Sequence, residues 1–141
     1  MVGIVIVAHL GLAEQLRKTA EVITSSRLDN FTAVSIMPDD NPDRARQKVL
    51  TAVKSVDRGS GVVILVDMFG GTPSNLSLSL LTKGKIEIIT GVNLPMIIDA
   101  ATKSPQTSLS ELVVLLLVNG QRGIRSASEI LDKKVPGSEG S

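Results

Sequence analysis

The chain has 141 residues, 43% of them hydrophobic and 21% charged, with a formal net charge of only +1, which predicts one globular domain and argues against nucleic acid as a partner. Only 1% of the residues are aromatic and none is cysteine, which disfavours base-stacking or flavin sites and excludes disulfides, thiolate metal sites and a cysteine nucleophile. The longest uninterrupted apolar run, Leu112 to Val118, is far below the roughly 20 residues of a membrane span, and the N-terminus has no signal-peptide pattern, so we expect a cytoplasmic protein that is not embedded in a membrane.

The first apolar run, Gly3 to His9, predicts a strand that is buried on both faces. It ends at His9, the only histidine in the sequence. A helical pattern follows, and the residues expected on its inward side are Leu12, Leu16, Ala20 and Ile23. The imidazole is therefore expected at the carboxyl edge of a parallel sheet, where open α/β sheets bind their ligands.

A second strand is predicted from Phe31 to Ile36, where the sequence partly alternates. Asp39 and Asp40 follow it and are expected to be solvated loop residues, one of them with a capping role. Asn41 and Pro42 then predict a helix start, because asparagine caps helices and proline suits the first helical position. The inward residues of this helix are expected to be Ala45, Val49, Ala52 and Val56.

The third strand, Gly61 to Asp67, resembles the first, since Asp67 is the first polar residue after an apolar run. Gly70 and Gly71 form a loop after it. Thr72 and Pro73 are expected to open a capped helix that carries Leu76, Leu80 and Leu81.

The rest of the chain predicts one more strand and two more helices. The strand runs from Ile86 to Val92, and a helix opens at Asn93 and stops at Ser104. Ser108 and Glu111 have the spacing of a capping box for an apolar helix that runs to Asn119 and Gly120.

The C-terminal end is harder to assign. Gly123 to Val135 contains few large apolar residues and is expected to form a short edge strand or an irregular arm. Pro136 to Ser141 has the composition of a flexible tail or the start of a linker. We therefore place a single domain at residues 1–135.

Alternating strands and helices with short loops predict a doubly wound α/β fold. We expect a flavodoxin-like open sheet of four parallel strands in the order 2-1-3-4. In that order the first and third strands are neighbours, so His9 and Asp67 face each other across the crevice at the edge of the sheet.

An imidazole beside a carboxylate can act as a base, a nucleophile or a metal ligand. One histidine and one aspartate supply too few ligands for zinc, and the chain has no G-x-S-x-G motif for a hydrolytic triad. General base catalysis stays open, although no substrate-fixing charge stands out.

The nucleophile hypothesis uses more of the residues present. If Asp67 accepts the Nδ1 proton of His9, Nε2 keeps its lone pair and can attack phosphorus. The backbone of Gly70 and Gly71 and the hydroxyl of Thr72 would then bind the phosphate oxygens.

Three collinear stretches resemble a known family: His9 after an apolar strand, VDMFGGTPSN at 66–75 and GVNLPM at 91–96. From residue 2 to about residue 125, the chain is similar to the mannose-type EIIA domain of the bacterial phosphoenolpyruvate:sugar phosphotransferase system (PTS). The resemblance implies a phosphotransferase with a phosphohistidine intermediate: His9 accepts a phosphoryl group from phospho-HPr and passes it to an EIIB domain or protein. His9 matches the phosphorylated histidine and Asp67 the aspartate that orients it, while Thr72 falls where the family has Ser or Thr near the phosphate.

The same resemblance implies a homodimer in which a fifth, antiparallel strand is exchanged between the subunits, which would account for the segment after Gly123. It implies neither a cofactor nor a metal ion, and it leaves association with a membrane sugar permease open. One departure is that the family often has glycine directly after the histidine, whereas this chain has Leu10 followed by Gly11. A side chain beside the active nitrogen is expected to narrow the set of partners.

Two alternatives remain. A receiver domain also has an aspartate at the position of Asp67, but it needs an acidic pair where this chain has Ala8 and His9. It also needs a lysine after a fifth parallel strand, which the sequence does not indicate. A regulatory EIIA-like module, whose phosphorylation state is sensed by a partner rather than used for sugar uptake, shares all the site residues. The methionines near the same edge are either core residues or an adaptable docking rim; they are Met37, Met68 and Met96.

Overall fold

Four strands in the computed structural model, which describes residues 1–134, form one sheet. The strands are β1 (Gly3–His9), β2 (Phe31–Ile36), β3 (Val62–Val66) and β4 (Ile86–Thr90). Every pairing is parallel, and the order is β2-β1-β3-β4. The predicted doubly wound, flavodoxin-like sheet of order 2-1-3-4 is confirmed.

Residues 1–134 contain six helices: α1 (Leu12–Thr24), α2 (Pro42–Val56), α3 (Thr72–Leu78), α4 (Leu94–Lys103), α5 (Leu109–Arg122) and α6 (Ala127–Lys134). The helices α1, α4 and α5 share one core with the sheet, and α2 and α3 share the other. None of the helices in this part of the chain has the length and apolar character needed to cross a bilayer.

The two cores explain why β1 is apolar without alternation. Ile4 and Ile6 belong to the core beneath α1, α4 and α5, whereas Val5 and Val7 belong to the core beneath α2 and α3. All four side chains are fully buried. A central parallel strand that is covered on both faces needs apolar residues at every position, and this places the ends of β1 and β3 at one rigid edge.

The predicted inward face of α1 is only partly right. Ala20 is buried and Leu16 packs against the core, but Leu12 and Ile23 are exposed. Ala13 is buried instead. The residues that pack on the sheet are thus 13, 16 and 20, whose spacing of three and four follows one helical stripe, and the two exposed residues lie in the terminal turns.

The prediction of an edge strand or irregular arm after Gly123 is wrong for residues 127–134, which form α6. Ser126 and Glu129 have the spacing of a capping box, and the Ile130 N–H donates to the Ser126 carbonyl. Local helix signals therefore prevail where large apolar residues are few. Residue 135 and the predicted tail at 136–141 lie outside the described residues, and exchange of this segment between subunits stays a prediction.

Other element boundaries also differ from expectation, including those of β3 and the end of α5 by one to three residues. The strand β4 ends at Thr90 rather than Val92. The helix α3 ends at Leu78, so Leu80 and Leu81 lie beyond it, in the following turn. Leu80 is buried there and Leu81 is exposed. The buried faces of α2 are as predicted, with Ala45, Val49, Ala52 and Val56 all buried.

Gly3 marks a close approach between β1 and α2. A Cβ at Gly3 would overlap the carbonyl oxygen of Val56 and lie 2.7 Å from its Cγ2. We therefore expect Gly3→Ala to lower the free energy of unfolding by about 1–3 kcal/mol, as overpacked cores do. Urea denaturation monitored by circular dichroism measures this.

Gly11→Ala is the matched control, because Gly11 has φ −89° and no atom within 4 Å of the added methyl group. The urea midpoint of Gly11→Ala should stay close to that of the native chain. Equal midpoints for the two variants would contradict the close packing at Gly3.

Candidate active site

His9 is the last residue of β1, the strand between β2 and β3. It pairs with Ile36 of β2, and the N–H of Leu10 donates to the Ile36 carbonyl at 3.0 Å, so the sheet hydrogen bonding continues past the histidine. The His9 side chain is 46% exposed. The backbone of the histidine is thus held by the sheet while its ring reaches solvent.

Asp67 directly follows β3, and its N–H donates to the Val7 carbonyl at 3.3 Å. Its carboxylate accepts from three donors. Oδ2 lies 2.7 Å from His9 Nδ1 and accepts the His9 N–H at 3.0 Å, and Oδ1 accepts the Met68 N–H at 2.9 Å. The side chain is only 11% exposed, so it is both fixed in position and largely shielded from water.

These contacts decide the protonation of the pair. Burial raises the pKa of Asp67, but the hydrogen bonds from the His9 N–H, the His9 ring and the Met68 N–H outweigh it and hold the pKa below its ordinary value. An ionised carboxylate only accepts hydrogen bonds. Nδ1 of His9 therefore carries a proton, and in the neutral ring Nε2 has the free lone pair.

The glycine loop before α3 reaches the other side of the ring. A Cβ at Gly71 would lie 3.4 Å from Cε1 and 3.5 Å from Nε2 of His9, so the Gly71 backbone is beside the free nitrogen. Gly70 has open space where its Cβ would be. Gly71, with φ +83°, occupies the N-cap position, and Thr72 is the first helical residue rather than the expected capping residue.

His9 and Thr72 also line one cleft of about 340 Å³. Its other lining residues are Leu10, Ile36, Met37, Pro38 and Asp40. Within residues 1–134, no three histidine, cysteine, aspartate or glutamate side chains are grouped so that they could hold a metal ion. The cleft and the residues beside it therefore bring together an exposed imidazole, the carboxylate bonded to its Nδ1, a hydroxyl and a glycine backbone.

A family model described as "EIIA-man: PTS system fructose IIA component" matches residues 3–116. The chain belongs to the EIIA-man family.

Individual relatives agree with this assignment. The chain is 32% identical over 127 residues to the mannose-specific EIIAB component of Escherichia coli K12, a match that covers 89% of this chain and 39% of that protein. It thus spans about two fifths of that relative. It is 28% identical over 127 residues to the sorbose-specific EIIA component of Lacticaseibacillus casei, covering 89% of this chain and 91% of that one.

Solved structures show the same architecture. The mannose/sorbose-specific IIA subunit of Enterococcus faecalis superposes with a TM-score of 0.78 at 25% identity, covering 89% of this chain and 93% of that one. An EIIA component of Streptococcus agalactiae gives a TM-score of 0.82 at 24% identity, covering 92% and 99%. The latter likeness supports the fold alone.

Asp40 of this EIIA domain is not the solvated residue that the sequence suggested. Its side chain is only 6% exposed and lies 2.6 Å from Lys48 Nζ and 3.4 Å from Arg44 Nε. The hydrogen bond from Lys48, followed by that from the Met37 N–H, holds the pKa of Asp40 below its ordinary value. In the sequence, these ion pairs were indicated only by the four-residue spacing of Asp40, Arg44 and Lys48. The one carboxylate that lines the His9 cleft is thus compensated by two cations.

Exposed apolar side chains extend around the site. We define the apolar rim as Leu10, Leu12, Met37, Met68 and Phe69, which are 40–74% exposed. Of the methionines considered from the sequence, Met96 is buried in the core, whereas Met37 and Met68 are exposed and their docking role stays a prediction. Phe69 was missed; its position between Asp67 and the two glycines was the only signal.

Asp67 links stability to pH. Because its folded pKa lies below the unfolded value of about 3.9, its contribution is present above that pH and is lost as pH falls through the folded pKa. We expect the native chain to lose stability more steeply than Asp67→Asn between about pH 5 and pH 3. Urea denaturation across this range measures the difference.

At pH 7, Asp67→Asn should be less stable by roughly 1–3 kcal/mol, since hydrogen bonds to a charged acceptor are weakened. Some acid dependence should remain in the variant, because Asp40 also has a lowered pKa. If the free energy of unfolding had the same pH dependence in both proteins, the lowered pKa of Asp67 would be contradicted.

Proposed function

We propose that this EIIA domain is a histidine phosphocarrier of the sugar phosphotransferase system, which accepts a phosphoryl group from phospho-HPr on His9 and passes it to an EIIB domain or protein. The observation that carries the proposal is the 2.7 Å contact between His9 Nδ1 and the Asp67 carboxylate. It leaves Nε2, on a half-exposed ring, as the free nucleophile. A cytoplasmic location stays a prediction.

The transfer needs no change in the hydrogen bond to Asp67. The Nε2 lone pair forms a bond to phosphorus as the bond between phosphorus and the donor breaks, and the donor keeps that electron pair. The His9 ring becomes more positive, and the Asp67 carboxylate offsets this charge while Nδ1 keeps its proton. Transfer to the acceptor reverses these steps, so the same pair serves both directions.

Gly70, Gly71 and Thr72 are proposed to bind the phosphoryl oxygens. The Gly71 backbone lies beside Nε2 and carries no side chain that would fill this space. The Thr72 side chain is part of the same cleft and supplies a hydroxyl donor. Of the three residues, Gly70 has the weakest structural support, since its surroundings are open.

We propose a homodimer for the same chain. Val114, Leu117 and Val118 are exposed on one face of α5, and Ile124 is exposed just beyond it. Exposed apolar faces of this kind are typical of protein interfaces. The strand β4 ends the sheet, and among residues 1–134 its outer edge carries only an isolated antiparallel bridge between Ile86 and Thr82. The remainder of this edge is where an exchanged antiparallel strand would pair, and such an exchange requires the segment after Gly123 to become extended.

The phosphocarrier role is tested by incubating the protein with phosphoenolpyruvate, enzyme I and HPr. We expect one acid-labile, base-stable phosphate per chain, because His9 is the only histidine. His9→Ala should abolish it, and label that persists in this variant would refute the assignment. Asp67→Asn should fold and accept the label, but more slowly by roughly 10-fold or more, since the tautomer is no longer fixed by a carboxylate.

Discharge of the labelled protein identifies its acceptor. Rapid loss of label to an EIIB protein, and through it to a membrane sugar permease, would support a role in transport. Label that no EIIB protein accepts would instead favour the regulatory module.

The dimer is tested with Val114→Glu, which places a charge on the exposed face of α5. We expect light scattering to give a dimeric mass for the native chain and a monomeric mass for this variant, because an unpaired charge in an apolar interface is costly. Val22→Glu, at an exposed valine of α1, is the control and should stay dimeric. A monomeric native chain would exclude the dimer.

A further inference from the structure

Leu10 has an unfavourable backbone conformation directly beside His9. Its φ is +53°, and within residues 1–134 the only other non-glycine residue with positive φ is Ser25, at +52°. The left-handed region brings Cβ close to the backbone and is disfavoured for leucine, whereas glycine adopts it freely. The conformation arises because the Leu10 N–H still pairs with Ile36 while α1 already begins at Leu12.

The Leu10 side chain does not offset this strain by packing in the core. It is 54% exposed and belongs to neither apolar core of the domain. Instead it lines the cleft that contains His9. The fold does not require leucine at this position. The strained backbone of Leu10 therefore points to a role outside folding.

The surroundings indicate what the side chain contacts. A protein that exchanges a phosphoryl group with Nε2 must cover the cleft, and so it must touch the residue next to His9. Of the apolar rim, Met37 lines the same cleft as Leu10, and the exposed Met68 and Phe69 directly follow Asp67. The Asp40 carboxylate within the cleft is already compensated by Lys48 and Arg44. The complementary surface is therefore apolar rather than charged.

We propose that Leu10 is a specificity-determining residue for phosphoryl transfer: its side chain is held over the cleft to contact an apolar patch around the phosphorylated group of the donor protein. This inference rests on the proposed function, in which that donor is phospho-HPr. The donor step is common to the transport and regulatory roles, so the proposal does not depend on which acceptor follows.

The test measures the initial rate of transfer from purified phospho-HPr over a range of donor concentrations. For Leu10→Gly we expect KM to rise about 5- to 10-fold with kcat close to native, because a half-exposed leucine side chain loses its burial in the complex. Leu10→Met, which restores an apolar side chain, should bring KM back to within about 2-fold of native.

Ser25→Gly is the matched control, since it relieves the same backbone conformation at the end of α1 away from the cleft. We expect both glycine variants to keep or raise Tm, by up to about 5 °C, because glycine adopts this backbone conformation without strain. Only Leu10→Gly should change KM. Phosphoramidate, a small donor that phosphorylates histidine directly, should label His9 at the same rate in both variants.

Each outcome bears on the proposal. An unchanged KM for Leu10→Gly, a fall in kcat alone, or slower labelling of that variant by phosphoramidate would overturn the role of Leu10 while leaving the phosphocarrier function standing. Failure of phospho-HPr to label the native chain would overturn both.

Discussion

The hydrogen bond between His9 Nδ1 and Asp67 joins the ends of two neighbouring central strands. Its geometry is fixed from both sides, since the same carboxylate also accepts the N–H groups of His9 and Met68. These donors keep a largely buried carboxylate ionised, and the ionised carboxylate in turn keeps the proton on Nδ1. The lone pair at Nε2 is therefore a consequence of strand order and backbone hydrogen bonding, and it does not rely on a flexible side chain finding its partner.

This explains why so much of the site was predictable from the sequence. His9 and Asp67 are each the first polar residue after an apolar run, and a parallel sheet brings such positions to one edge. The alternation of elements predicts a doubly wound sheet, the crossover rule fixes its hand, and the flavodoxin-like strand order makes the first and third strands neighbours. The chemistry of an imidazole beside a carboxylate needs little more than this. The pairing could be deduced because each step rests on periodicity and topology.

Other features are not encoded in the periodicity of the apolar residues. The burial of Asp40 depends on Lys48, two helical turns along α2, whose ammonium group reaches back to the loop. The same spacing in a sequence fits a solvated helix face equally well. The helix α6 forms on local capping signals with little apolar content, and the exposure of Phe69 depends on where the glycine loop leaves the sheet.

The two kinds of feature correspond to two tasks. The imidazole that we propose to carry the phosphoryl group is held by a partly buried carboxylate on rigid strands, whereas the proposed partner surface consists of exposed side chains on the turns that follow those strands. A substitution in the apolar rim can thus alter recognition while the His9–Asp67 pair stays in place. Leu10 lies at the boundary, since its N–H belongs to the sheet and its side chain to the rim. Because the sheet holds its backbone and the fold does not bury its side chain, this residue can change a partner's contacts without moving the nucleophile.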